Sequence, residues 1–302
     1  MKKKRYIKDS AADKVFYVLD WILLGFLMLV IIFPLLNVVS CSFSAPSAVG
    51  GGKVYLFPVG FNLDAYQALF REDQIMTGFL NTLFYTFFGT IINVTLTVMC
   101  GYPLSRQKIV GKKAIMFYFT FTMLFSGGMM PTYLLIKSLG LLNTRWVMLL
   151  PGAMSVYNMI VARTFFMNTI PNELNEAAEI DGASDFRLIF SVVLPLSAPI
   201  IAVLSLFYAV GHWNAFFDAF LYLSDPDLQN LQVVLRNFMA NIKAMIDSSG
   251  ITDSIAAAQD AALFQDVLKY AIIVFTSIPI LLVYPFVQKH FVKGVMIGSL
   301  KG

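Results

Sequence analysis

The sequence predicts an all-α polytopic membrane protein with six transmembrane helices and both termini in the cytoplasm. Three observations predict it. Of the 302 residues 58% are hydrophobic and only 13% charged, where a soluble domain carries roughly 25% charged residues. Six apolar runs are each long enough to cross a bilayer, which takes about 20 residues at about 1.5 Å of helix per residue. Lys and Arg are shared unevenly between alternate connections, and that bias sets orientation.

Residues 1–15 form a basic cytoplasmic N-terminus. The apolar run behind it, 16–40, exceeds the core of about 7–15 residues found in a cleaved secretory signal, so it reads as a retained first span. Asp20 lies near its start and reaches the interface; at mid-bilayer it would cost about 2.5–3.5 kcal/mol. Residues 41–78 form an outer segment with Gly50-Gly51-Gly52, Pro58 and a short amphipathic piece from Ala65 to Phe70. Spans two, three and four are read at 79–103, 114–136 and 146–166. A polar stretch at 168–191 leads into span five at 192–211. A second outer segment, 212–266, precedes span six at 267–287 and a cytoplasmic tail at 288–302. Within 212–266, Val234, Phe238, Ile242 and Met245 fall at helical spacing, and Ser254 to Leu268 reads as a helix running into span six. Connections of this length are usually functional or disordered; these read as a folded extracytoplasmic cap that helps form a docking surface. No internal repeat is found, so the inverted-repeat plan of many secondary transporters gains no support.

Orientation rests on the basic residues. Lys2, Lys3, Lys4, Arg5, Lys8 and Lys14 precede span one; Arg106, Lys108, Lys112 and Lys113 follow span two; Lys289, Lys293 and Lys301 follow span six. With Arg163 and Arg187 that side holds 15 of the 22 basic residues, and the other seven are spread over longer loops. The polar stretch 168–191 falls on the same inner side. The basic residues form no stripe interleaved with aromatics, which argues against nucleic acid as a partner. Cys41 and Cys100 sit in or beside apolar runs and read as buried thiols, neither a disulfide nor a metal site.

The inner stretch has internal logic. Pro171 suits the first turn of a helix, where its missing N–H costs nothing. Glu173, Glu176 and Glu179 then share one face and favour the helix N-terminal half. Ala177 and Ala178 are strong helix formers without bulk. Gly182 supplies backbone freedom for a turn, and Phe186, Leu188, Ile189 and Phe190 restart an apolar pattern before Pro195 and Pro199. The product is two short helices meeting at an angle. Read alone, such a loop also serves as a solvated cap on the bundle.

The spacing Glu176-Ala177-Ala178, three residues, Gly182, nine residues, then Val192-x-Leu194-Pro195 resembles the EAA loop of ABC importer permeases. Val192 stands where that family usually has Ile. The resemblance implies a type I permease with the MetI-like transmembrane fold over 79–290, in the bacterial cell membrane. It implies a second homologous permease (a different chain), two cytoplasmic ATPase subunits and an extracytoplasmic substrate-binding protein. Glu176, Ala177, Ala178, Asp181, Gly182, Leu194 and Pro195 would form the ATPase-coupling element. ATP and Mg would sit on the partner ATPase, with no cofactor bound by this chain. The sequence has no Gly-x4-Gly-Lys-Ser/Thr phosphate loop, so it is read as a non-catalytic subunit.

Span five ends in Phe207-Tyr208-Ala209-Val210-Gly211-His212-Trp213-Asn214-Ala215-Phe216-Phe217-Asp218. Aromatic faces beside amide and carboxylate groups suit a carbohydrate, whose apolar ring face stacks while its hydroxyls take hydrogen bonds. The string resembles the sugar-importer branch of the family, including its lipoprotein-like polysaccharide group. So do Phe125-Ser126-Gly127-Gly128 with Pro131, and the tail Phe291 to Gly302. Candidate substrate-path residues are Tyr208, His212, Trp213, Asn214, Phe217 and Asp218. Tyr and Trp also gather at membrane interfaces for their own amphipathic chemistry, a Gly-Gly pair also serves as a helix-packing notch, and His212 reads as a hydrogen-bonded structural residue more readily than a proton relay. The tail suits either a lipid-surface anchor or a contact with the ATPase. Channels and ion-coupled transporters place ionisable relays within spans, and here mid-span regions are nearly free of charge. An integral membrane enzyme needs converging His, Asp or Glu at metal or acid–base spacing; the two histidines, His212 and His290, are distant, and no such constellation is found.

Overall fold

The computed structural model describes residues 10–106, 109–249 and 255–299. The basic residues 1–9, Lys108, Ser254 and the last residues of the tail, 300–302, lie outside the described residues. Every regular element among those described is helical. In chain order they are α1 (Ala11–Ser42), α2 (Pro46–Gly50), α3 (Asp64–Arg71), α4 (Asp73–Ser105), α5 (Lys112–Leu124) and α6 (Met129–Ser138). A 3-10 turn (Arg145–Met148) precedes α7 (Val156–Thr169), α8 (Asn172–Ile180) and α9 (Asp185–Leu188). A π-helical turn (Ile189–Val193) leads to α10 (Leu194–Leu196), α11 (Ala198–Trp213) and α12 (Phe217–Tyr222). A second 3-10 turn (Pro226–Leu228), α13 (Leu231–Ser249) and α14 (Ile255–Ser299) complete the chain.

Among the described residues, three helices are long and apolar enough to cross a membrane: Ala12–Ser42, Asp73–Ser105 and Gln259–Val283. The sequence reading at 114–136 becomes two helices, α5 and α6, meeting at 111°. The break falls at Gly127-Gly128, where Gly128 takes φ +87, a region open to glycine and costly for other residues. The reading at 192–211 is bent by 84° between α10 and α11. Pro195 and Pro199 each remove a backbone donor there, which explains the bend. At 146–166 the chain makes a 3-10 turn, a loop with Pro151 and Gly152 (φ +70), and then α7 of 14 residues, capped by Ser155. A helix of that length spans about 21 Å, short of the hydrocarbon core of about 30 Å.

The chain divides into two compact units: residues up to Arg71 with Met239–Ser277, and Glu72–Phe238 with residues from Ile278 onward. In the first, a capping box opens α1: Ser10 accepts the Asp13 N–H (3.2 Å) and Asp13 accepts the Ser10 N–H (2.8 Å). The C-terminal end of α1 straps down the following loop. Asn37 Nδ2 donates to the carbonyls of Val54 and Tyr55 (both 2.9 Å), Ser40 Oγ donates to Leu56 (2.6 Å), and Ser44 Oγ accepts the Val59 N–H (3.0 Å).

In the second unit α4 is the spine, packed against α7 and α11. Its N-terminal third secures the segment before α13. Asn81 Nδ2 donates to the carbonyls of Asp227 (2.7 Å) and Gln229 (3.0 Å), Thr82 Oγ1 accepts the Leu231 N–H (2.8 Å), and Tyr85 donates to Leu228 O (2.8 Å). Its C-terminal end is capped by cations, which suit the negative end of a helix. Arg163 Nε donates to Leu104 O (2.9 Å), and Lys112 Nζ donates to Arg106 O (2.8 Å) and Ser105 O (3.5 Å). Gly101 lets α7 come close: a Cβ there would lie 3.3 Å from Met159 O, 3.4 Å from the Ala162 Cβ and 3.4 Å from the Arg163 nitrogen. Two of those three are backbone atoms, which do not yield. Gly101→Val should therefore cost about 1–3 kcal/mol by overpacking, read as a lowered thermal midpoint in detergent. Gly25→Val, with nothing within 4 Å of its Cβ, should leave the midpoint unchanged.

Candidate functional site

The polar stretch at 168–191 is built as its sequence pattern predicts. After Pro171, α8 runs for nine residues with Glu173 in its first turn. It ends in a left-handed Gly182 (φ +68), and the Ala183 N–H reaches back to Ala178 O at 2.9 Å. That six-to-one bond closes a Schellman turn. Ser184 then caps α9, accepting the Arg187 N–H at 3.3 Å. Sequence alone supplied this turn because glycine is the residue that occupies positive φ without strain.

The loop has a buried root and an exposed crown. Ile170, Leu188 and Val193 are buried in one cluster with Val98 and Tyr102 of α4, Ala162 and Phe166 of α7, and Ile200, Leu204 and Tyr208 of α11. Ala178 and Leu194 pack against the same cluster. Glu176, Ala177, Asp181, Gly182 and Pro195 face outward. So do Ile180, Phe186 and Phe190, at 85%, 68% and 65% exposed. A polar loop carrying three large bare apolar side chains has the composition of a protein contact. The sequence reading took Phe186 and Phe190 as the restart of an apolar pattern and passed over Ile180, assigning none of the three to a contact; their place in an otherwise charged stretch was the available signal.

The six substrate-path candidates divide into two groups. Tyr208, His212 and Trp213 turn inward. The Tyr208 hydroxyl accepts the Ser155 N–H (3.1 Å) and shares a hydrogen bond with Thr97 Oγ1 (2.6 Å). His212 Nε2 lies 3.1 Å from the Asn93 amide. With that amide turned to suit its neighbours, its nitrogen donates to Gly89 O (2.8 Å) and Ala153 O (3.2 Å), and its oxygen accepts from Nε2. The imidazole covers Gly89, where a Cβ would sit 2.4 Å from Nε2. Trp213 is buried edge-to-face on Phe79, centroids 6.0 Å apart. Asn214, Phe217 and Asp218 are exposed, with Asn214 Nδ2 returning to Val210 O at 3.0 Å. Burial, followed by the Asp218 carboxylate, raises the Tyr222 phenol above its ordinary range. Beyond these, the Arg236 guanidinium lies 5.0 Å over the Phe220 ring, which stacks on Phe216 at 5.7 Å. The sequence reading missed Gly89, Asn93 and Thr97, although they recur every four residues on α4.

Long apolar helices, a polar seam between them and a protruding polar loop suit a membrane-embedded subunit. The chain belongs to the family described as binding-protein-dependent transport system inner membrane component, whose family model matches residues 10–297. It is a multi-pass cell-membrane permease subunit. It is 43% identical over 287 residues to the polygalacturonan/rhamnogalacturonan transport system permease protein YtcP of Bacillus subtilis (strain 168), covering 94% of this chain and 98% of that one. Protein LplC of the same organism is 40% identical over 294 residues, 97% of each chain. Among solved structures, a bacterial ABC transporter involved in import of the acidic polysaccharide alginate has a chain 32% identical to this one. The match has a TM-score of 0.81 and covers 95% of this chain and 100% of that one.

Removing the Tyr208 hydroxyl leaves Thr97 and the Ser155 N–H short of a partner. Tyr208→Phe should therefore lower stability by about 1–2 kcal/mol, whereas Phe217→Ala at the exposed position should not, both read by thermal unfolding in detergent. Equal effects would remove the distinction between the inward and outward groups.

Proposed function

We propose that this chain forms half of the translocation path of an ATP-driven importer for an acidic oligosaccharide, with the α8–α9 loop as its contact to a cytoplasmic ATPase. The observation that carries the proposal is the loop's division into a buried root and an exposed, partly apolar crown. A crown so rooted passes a push on its outer face directly to α4, α7 and α11. Glu176, Ala177, Ala178, Asp181, Gly182, Leu194 and Pro195 are the proposed coupling residues. In this reading there are six spans: three single helices, the two bent pairs, and α7 with its preceding turn. Both termini then lie in the cytoplasm. The partners are a second homologous permease, two ATPase subunits carrying ATP and Mg, and an extracytoplasmic binding protein.

The carbohydrate class is supported by the relatives' names, and polygalacturonan and alginate are both polymers of acidic sugars. Asn214, Phe217 and Asp218 are proposed to face the path, while Tyr208, His212 and Trp213 hold its wall in position. Arg236 over Phe220 offers a guanidinium beside an aromatic face, a pairing suited to a sugar carboxylate. Uptake of labelled oligogalacturonate by cells lacking this chain, with and without its restoration, tests the substrate. Loss of neutral-oligosaccharide uptake alone would contradict the acidic assignment.

Gly182→Asp separates docking from folding. Asp tolerates left-handed backbone better than most residues, and the position has nothing within 4 Å of an added Cβ. The variant should therefore reach the membrane folded, yet uncouple ATP hydrolysis from uptake. Normal uptake by that variant would count against the docking role.

A further inference from the structure

Residues 51–63 run between α2 and α3 in the first unit, and of these only Val54 is buried. Tyr55 is 65% exposed, Phe57 79% and Phe61 69%, with Leu56 and Val59 exposed beside them. We propose that this loop is an aromatic foot that rests in the headgroup layer of the lipid bilayer and fixes the depth of α1.

The backbone is tied down at both ends of the loop. Asn37 donates to the carbonyls of Val54 and Tyr55, and Ser40 to that of Leu56. Farther along, the Ala45 N–H donates to Val59 O (3.0 Å), the Val59 N–H to Ser44 Oγ, and the Asn62 N–H to Phe43 O (2.9 Å). Gly60 makes the return at φ +65, close enough to Ala45 that an added Cβ would lie 3.0 Å from the alanine Cβ. Phe61 stacks on Phe43 with centroids 5.9 Å apart, and Phe43 stacks on Tyr66 at 5.0 Å. The Tyr66 hydroxyl in turn donates to Ser42 Oγ (2.8 Å). These ties hold the segment on the end of α1, so it cannot fold away to hide its rings without breaking them.

The same bonds set a depth. A helix crosses a hydrocarbon core of about 30 Å in about 20 residues. Counted from Val15, just after Lys14, the crossing ends near Pro34; counted from Trp21, just after Asp20, it ends near Ser40. Asn37 and Ser40, which hold residues 54–56, therefore stand where α1 leaves the hydrocarbon. Tyr gathers at that level for its amphipathic ring, and surface-lying segments bury Phe and Leu at the headgroup–acyl boundary. Charge favours lipid over a protein partner. From Phe43 to Leu63 the sole charged residue is Lys53, whereas a protein contact surrounds its apolar centre with a polar rim. One cation and no carboxylate suit phosphate-bearing headgroups. The apolar surface also continues onto α1, where Leu35 and Leu36 are exposed and none of the most apolar stretch is buried.

Tryptophan quenching in lipid nanodiscs, holding the full chain with the subunits that accompany it, tests this. Phe57→Trp keeps an aromatic ring at an exposed position and adds one indole to the three native ones, whose emission is subtracted using the unaltered chain. The quencher is phosphatidylcholine brominated either high on its acyl chains, beside the headgroup, or low, near their ends. The added emission should be lost mainly to the lipid brominated beside the headgroup. Ile180→Trp, exposed on the polar 168–191 stretch, should add emission that neither lipid quenches. Equal quenching in the two variants would overturn the foot as a specific lipid contact. Emission from Phe57→Trp that neither lipid touches would assign the loop to water or to a protein partner and overturn the proposal. Stronger quenching by bromine near the chain ends would place the ring inside the hydrocarbon and overturn the depth.

Discussion

The second unit depends on how closely other elements can approach α4. In lipid, helices gain little from hiding apolar surface, because the solvent is as apolar as they are; association comes from close packing and polar contacts. The face of α4 that carries Gly78, Thr82, Tyr85, Gly89, Asn93, Thr97 and Gly101 provides both. Its glycines let Leu231, His212 and Met159 press against the backbone. Its polar members bond to the segment before α13, to His212 and to Tyr208. Each polar contact also satisfies a group that would otherwise stay unpaired in a medium without water. The fold therefore holds with many large apolar side chains turned outward.

That arrangement explains which parts of the molecule were legible in the sequence. Long apolar runs announced α1, α4 and the core of α14, since length and hydropathy suffice to recognise a spanning helix. The inner loop was legible because its turn uses residue types with a local mechanism: a glycine at positive φ, a serine cap and a proline entry. Breaks inside apolar stretches were legible only in hindsight. Pro151-Gly152 and Gly127-Gly128 are turn signals, yet a hydropathy window averages over them. Of the division of the path candidates, only the hydrogen-bonded structural character of His212 was legible. Whether Tyr208 or Phe217 turns toward α4 depends on helix phase against a neighbour more than a hundred residues away in sequence, and no local pattern reports it.

The cations at the C-terminal end of α4 show how one group of residues serves two physical demands. In the sequence reading, their bias toward one side sets the orientation of the chain. In the folded protein Arg163 and Lys112 satisfy the last carbonyls of α4. A basic loop that looks like a topology signal in sequence thus becomes a structural clamp between α4, α5 and α7.

The bend between α10 and α11 decides how a displacement of the inner loop travels. Pro195 and Pro199 weaken the helical ladder there, and the Ser197 hydroxyl is buried without a partner. A weak joint alone would absorb motion. Here Val193 before the joint and Ile200 and Leu204 after it are buried in one cluster with α4 and α7. Folding the joint further would open that cluster, and packed interiors resist such openings because each lost contact has no replacement. The low-cost displacement carries α8, α9 and the first turns of α11 together, with the joint setting direction. Tyr208 belongs to the same cluster, and one further turn of α11 reaches His212. On the proposed reading, the polar seam with Thr97 and Asn93 is then the first place where movement of the inner loop must break a hydrogen bond or drag α4 along.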